Sequence, residues 1–119
     1  MHELAIASAV IDRARSAAEE HGGAQVTRIG LRIGEIAGVE VDALRFSFEV
    51  LCRDTPLQAA VLDIELCKRK QRCASCSCEF EPVGLGMTCP SCGGLDSACV
   101  AGKELDVTFV ELEVADEDV

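Results

Sequence analysis

Residues 73–92 read CASCSCEFEPVGLGMTCPSC, and the fold of the chain turns on how this stretch is read. Cys73 and Cys76 form one CxxC pair, Cys89 and Cys92 another, with twelve residues between them. Each CxxC turn presents two sulfurs to one point, and a dozen residues suffice for a short hairpin that folds the second pair onto the first. Four thiolates converging tetrahedrally suit zinc, which has no redox chemistry and no geometric preference from its d electrons. A site of four thiolates is coordinatively closed, so it is architectural and offers no open position for catalysis. The rival, a dithiol redox motif, requires a CxxC at the start of a helix in a βαβ setting, whereas Cys92 is followed by Gly93 and Gly94.

Around the quartet, residues 68 to about 100 form a segment rich in Cys and Gly, opened by the basic run Lys68, Arg69, Lys70 and lacking strong periodicity. Phe80, Val83, Leu85 and Met87 are nearly all the apolar material between the pairs, so metal binding must supply most of the segment's folding free energy. Cys78 lies two residues after a ligand; it is read as a spare thiol, with substitution for a ligand or redox sensitivity as alternatives. Cys52, Cys67 and Cys99 are expected to pack as small side chains.

The flanking sequence is periodic. Leu4, Ala7, Ile11, Ala14 and Ala18, broadened by Val10 and Ala17, predict an amphipathic helix from Glu3, closed by His21 and Gly22-Gly23. QVTRIGLRIGEIAG (25–38) alternates with Ile29, Leu31 and Ile33 on one side, the period of a half-buried strand. A second helix runs from Val41 to about Arg53, with Val41, Leu44, Phe48 and Leu51 on one face, and Asp54-Thr55-Pro56 ends it. AVLDIELCK (60–68) is a strand with Leu62, Ile64 and Leu66 inward. ELDVTFVELEV (104–114) is another, whose inward set shifts phase between Phe109 and Val110, by a bulge or by burial of both faces. The expected architecture is α+β: two helices on a small three-stranded sheet (residues 1–67 plus 101–119) with an inserted zinc-ribbon-like module (68–100). Asp116, Glu117 and Asp118 are expected to form a frayed acidic end.

The 119 residues carry 21 acids against 11 bases, a formal net charge of −10. Such a field repels phosphate backbones and anionic membranes and favours cations and basic partners. A zinc-ribbon module for protein or nucleic-acid interaction is the alternative, resting on Lys68, Arg69, Lys70 and Arg72, but stacking aromatics are scarce. No apolar stretch is long enough to span a bilayer and no basic segment precedes Glu3, so a soluble, unexported, cytoplasmic protein is expected. His2 and His21 are the only histidines and no nucleophile with a plausible base is evident, so no enzyme is expected.

At the other end, MHE (1–3) allows chelation by the Met1 α-amine, the His2 backbone nitrogen and the His2 imidazole, with Glu3 adding its amide nitrogen or its carboxylate. Nitrogen-rich tetragonal sets suit Ni(II) and Cu(II). On these residues alone, a solvated histidine in a fraying first turn is the simpler account.

Four segments in order change that balance: MHELAIASAVID (1–12), RIGLRIGEIAGVEVDALRFSFEVL (28–51), the paired CASC and CPSC, and GKELDVTFVELEV (102–114). Together they resemble the HypA/HybF family of hydrogenase maturation proteins, the nickel metallochaperones. The resemblance implies a nickel site at Met1, His2 and Glu3 and structural zinc on Cys73, Cys76, Cys89 and Cys92. It further implies delivery of nickel to the large subunit of a nickel-iron hydrogenase, work alongside the GTPase accessory protein HypB and, in some organisms, a part in urease maturation with its accessory proteins. Cys78 and Cys99 are thiols beyond the family's quartet.

Overall fold

A computed structural model of the chain describes residues 2–83 and 86–114. Met1, Leu85 and the acidic end 115–119, on which expectations above fall, lie outside the described residues. Helix α1 spans Glu3–Glu20, strand β1 Gln25–Gly34, helix α2 Val41–Cys52 and strand β2 Val61–Cys67. Strands β3 (Lys70–Cys73), β4 (Glu79–Phe80), β5 (Ser97–Ala101) and β6 (Leu105–Glu113) follow. The class is α+β, as the periodicities require.

By mutual contact the chain divides into two units: residues 1–31, 38–65 and 106–119 form one, and 32–37 and 66–105 the other. In the first, α1 packs against α2. Ala7, Val10, Ile11 and Ala14 of α1, Leu44, Phe48 and Cys52 of α2, and Val26, Ile29 and Leu31 of β1 are buried. Arg45 on α2 donates to the Leu62 carbonyl of β2 at 2.9 Å, satisfying an edge-strand acceptor. α1 ends at His21, whose Nδ1 lies 2.9 Å from the Ala17 carbonyl, one of the acceptors left over in a last helical turn. Strands β2, β1 and β6 form a sheet in the order β2-β1-β6.

Four inward assignments fail, the simplest being Val114 at the end of the last strand's inward set, which is 62% exposed. Leu4 is 55% exposed, because in the first turn the stripe has run past the helix's packed face. Leu66 is 64% exposed: it belongs to the stretch of β2 that clusters with the second unit. Phe109 faces outward over Gly30, where an added Cβ would lie 2.1 Å from the Phe109 ring and 2.7 Å from Thr108 Oγ1. Two consecutive β6 side chains therefore meet one residue of β1, which assigns the phase shift to a bulge and leaves room only for glycine at position 30.

The second unit holds a second sheet, order β4-β3-β5, that the weak periodicity of the insert did not reveal. β3 pairs antiparallel with both neighbours, Gln71 opposite Phe80 on one side and Cys99 on the other, with an irregularity between Lys70 and Gln71. Gln71 is buried; its amide donates to Ser97 Oγ at 3.0 Å and its carbonyl accepts from Arg69 Nε at 3.3 Å. Gly34 meets the backbone of Gly102 so closely that a Cβ there would sit 2.1 Å from the Gly102 carbonyl. Flanking hydrogen bonds, Gly34 N–H to Glu104 and Ile36 N–H to Gly102, both 2.8 Å, hold that approach. Among the described residues no helix is long and apolar enough to cross a membrane.

Candidate metal centres

The four sulfurs of Cys73, Cys76, Cys89 and Cys92 all lie within 4.8 Å of one another. Two of these contacts cross between the turns: Cys73 to Cys92 at 3.5 Å and Cys76 to Cys89 at 3.6 Å. A tetrahedral zinc with Zn–S of about 2.3 Å places its sulfurs about 3.8 Å apart, so the cluster fits that ion with small adjustment. Cys73 and Cys89 are buried while Cys76 and Cys92 are exposed, so the metal position has a dry and a wet side.

Each turn is a knuckle built the same way. Ser77 N–H donates to Cys73 O at 3.0 Å and Cys73 N–H to Cys78 O at 2.9 Å; Gly93 N–H donates to Cys89 O and Cys89 N–H to Gly94 O, both at 2.9 Å. The turns close through left-handed residues at equivalent places, Ser77 (φ 62) and Gly93 (φ 74). Two copies of one local geometry thus face each other with a pseudo-two-fold relation, which the CxxC spacing announces and the following two residues complete.

The backbone also sets the protonation of the sulfurs. N–H groups of Cys76 and Ser75 point at Cys73 Sγ and bring its thiol down to about 6. Cys92 and Ser91 do the same for Cys89, which is likewise lowered. Cys76 receives one N–H, from Cys78, but shares protons with the Cys89, Cys92 and Cys73 sulfurs and is pushed up to about 12. Cys92 receives one N–H from Gly94 and is raised too, mainly by its contact with Cys73. The two lowered sulfurs are the first to give up their protons, and a dication must displace protons from the two raised ones.

The N-terminal residues belong to the first unit. His2 is the N-cap of α1, with extended backbone (φ −93, ψ 107) and no side-chain capping bond, and its carbonyl accepts Ile6 N–H at 3.2 Å. Glu3 opens the helix, and its Oε2 accepts the backbone N–H of Glu40, the N-cap of α2, at 3.2 Å. That bond, followed by Glu3's own N–H, holds the carboxyl below its ordinary value. The link joins residues 37 apart in sequence and has no signature in the local pattern. His21 is occupied at the end of α1 and lies in a different part of that helix from His2.

Residues 1–112 match the family described as hydrogenase/urease nickel incorporation, metallochaperone, HypA. The chain belongs to the HypA family. The hydrogenase maturation factor HypA of Chlorobaculum parvum is 40% identical over 113 residues, which cover 95% of this chain and all of that protein. The HypA of Streptomyces avermitilis is 40% identical over 116 residues, covering 95% of this chain and 88% of its own. The maturation factor HybF of Klebsiella pneumoniae is 38% identical over 113 residues, covering 95% of this chain and all of that one. Among solved structures, the Ni metallochaperone HypA from Helicobacter pylori superposes with a TM-score of 0.63 at 25% identity, over 94% of this chain and 97% of that one. These HypA and HybF relatives are named as maturation factors and metallochaperones, not as enzymes.

The basic run is partly consumed inside the second unit. Arg72 pairs with Glu79 at 2.9 Å, which lowers the Glu79 carboxyl, and Arg69 is held by Gln71 and by Met87 Sδ at 3.5 Å. Sequence reasoning missed the parts Ser77 and Glu40 play; a residue following the second Cys of each knuckle was the available signal for the first.

Proposed function

We propose that this chain binds Ni(II) through the Met1 α-amine, the backbone nitrogen and imidazole of His2, and the amide nitrogen of Glu3, and delivers it for maturation of a nickel-iron hydrogenase. The observation that carries this reading is the position of His2 and Glu3 at the very start of α1. The first N–H groups of a helix have no intrahelical partner, so a metal can take the place of their protons without breaking a helical hydrogen bond. The engagement of the Glu3 carboxylate with Glu40 N–H supports the amide as its donor atom. Nitrogen-rich tetragonal ligation favours Ni(II) over Zn(II) and Mg(II).

In this reading Cys73, Cys76, Cys89 and Cys92 hold zinc, which when bound supplies cross-linking of the two knuckles and no chemistry. Residues 1–67 with 101–119 form the nickel-binding domain and 68–100 the zinc module, and the protein works in the cytoplasm. Its partners are the hydrogenase large subunit and the GTPase HypB, with urease accessory proteins where that enzyme is made. The net charge of −10 raises the local concentration of cations around the nickel ligands.

Calorimetric titration of nickel tests the site. A protein with a native Met1 binds one equivalent, while His2→Ala or a short N-terminal extension abolishes that binding and leaves the zinc content unchanged. Equal nickel binding by native and extended termini overturns the assignment.

A further inference from the structure

The pseudo-two-fold relation between the knuckles sets unlike residues at three positions, Ala74 and Pro90, Ser77 and Gly93, Cys78 and Gly94, and the last of these adjoins the metal sulfurs. In the second knuckle that position is Gly94, where an added Cβ would lie 3.2 Å from Cys92 Sγ, 3.3 Å from Cys73 Sγ and 3.6 Å from Ser75 Oγ. Its counterpart in the first knuckle is Cys78, which makes the equivalent hydrogen bond to the first cysteine of its turn. Cys78 carries a side chain where Gly94 has none, and its surroundings repeat the pattern. Its sulfur is 3.3 Å from Ser91 Oγ, the counterpart of Ser75, and its side chain packs against the buried cluster that contains Cys89, the counterpart of Cys73. A fifth thiol therefore packs against the buried cluster of Cys73, Phe80 and Cys89, outside the ligand set and partly exposed.

We propose that Cys78 is a peroxide-sensing thiol that unlocks the metal centre by forming a disulfide with Cys89. This rests on the assignment of zinc to the quartet. The four ligand sulfurs share a lone pair with the cation, whereas Cys78 shares none and, once ionised, keeps its full nucleophilicity toward a hydroperoxide. The Cys78 sulfur, its proton passing to water, attacks one peroxide oxygen; the O–O bond breaks, hydroxide leaves and Cys78 becomes a sulfenic acid. The Cys89 sulfur, its bond to the metal breaking, then attacks the Cys78 sulfur, the S–O bond breaks, a second hydroxide leaves and the S–S bond forms. One thiol and one thiolate are oxidised by two electrons in all, and one peroxide is reduced to two waters, the two hydroxides taking up the Cys78 proton and one proton from solvent. The metal is left with three sulfurs, Cys73, Cys76 and Cys92, and dissociates. Capture by Cys76 is disfavoured because one intervening residue closes a constrained ring, whereas Cys89 approaches from the opposite knuckle.

The test uses the full-length reduced protein with its metal, hydrogen peroxide as oxidant, and a chromogenic chelator to record released zinc. Wild type and Cys78→Ser contain one equivalent of zinc before oxidation, and Cys78→Ala serves as a second variant should the serine disturb folding. The expected result is release about tenfold slower in the variants, with a Cys78–Cys89 disulfide found by peptide mass mapping in the wild type. Equal release rates, or a wild-type product in which Cys78 is still a free thiol, overturn the inference while leaving the zinc assignment standing. Absence of zinc from all three reduced proteins overturns the zinc assignment and the inference with it.

Discussion

Stripping the metal from the cysteine quartet should unfold the second unit and spare the first. In the second unit Ile33 is buried on β1, and among the described residues of 66–105 the buried side chains are Gln71, Cys73, Phe80 and Cys89, of which the large hydrocarbon is Phe80. Its burial contributes about 2–3 kcal/mol. Strands β3, β4 and β5 have four, two and five residues. Fixing each backbone costs about 1–2 kcal/mol, or roughly 11–22 kcal/mol for the strands together. A structural zinc site contributes about 10–16 kcal/mol, which with Phe80 offsets that cost to within a few kcal/mol and leaves nothing over when the ion is gone. The 18 residues of α1 and 12 of α2 lie in the other unit, so circular dichroism at 222 nm changes little on chelation. Hydrogen exchange reads the loss directly, because the amides of Cys73 and Cys89 are bonded to Cys78 and Gly94 only when the knuckles are formed. If those two amides keep their protection in metal-free protein, the reasoning is wrong and the unit has a source of stability other than its ion.

Gly34→Ala should cost about 2–3 kcal/mol, the worth of the two hydrogen bonds lost when β1 is pushed off the Gly102 backbone. Gly38→Ala, where φ is +77 and the space is open, should cost only about 1 kcal/mol. Urea midpoints at saturating metal compare them, and equal costs would refute the steric account. At the N-terminus, the Glu3 carboxyl is depressed by the Glu40 N–H, so the contact stabilises the fold above the ordinary carboxylate range and is lost as pH falls through the lowered folded value. The Glu40 amide resonance should therefore titrate in acid in the wild type and stay flat in Glu3→Gln; a titration that survives the substitution assigns the effect to another group.

The helices were legible because their burial is decided locally: Ala7, Val10, Ile11 and Ala14 recur at helical spacing and are the buried residues of α1. The quartet was legible because CxxC is itself a local geometry, and the four sulfurs do converge. Failures begin where burial depends on partners distant in sequence. Phe109 carries the inward phase of its strand yet lies over Gly30, because a bulge reverses it. Strands β3 to β5 were hidden since so few of their side chains are inward that alternation has nothing to mark. The tie between Glu3 and Glu40 was invisible for the same reason, and so was the neighbourhood of Cys78, which follows from the relation of two turns rather than from either one.

That tie has a consequence for cargo exchange. A segment anchored at its third residue by a carboxylate, with its second residue in extended conformation ahead of the helix, is fastened at the root while its imidazole keeps its torsional freedom. On the proposed nickel assignment, a receiving site would meet the ion at an almost fixed address on the surface, with only a few bond rotations between the holding arrangement and the open one. Speed of handover and constancy of location would then come from the same carboxylate.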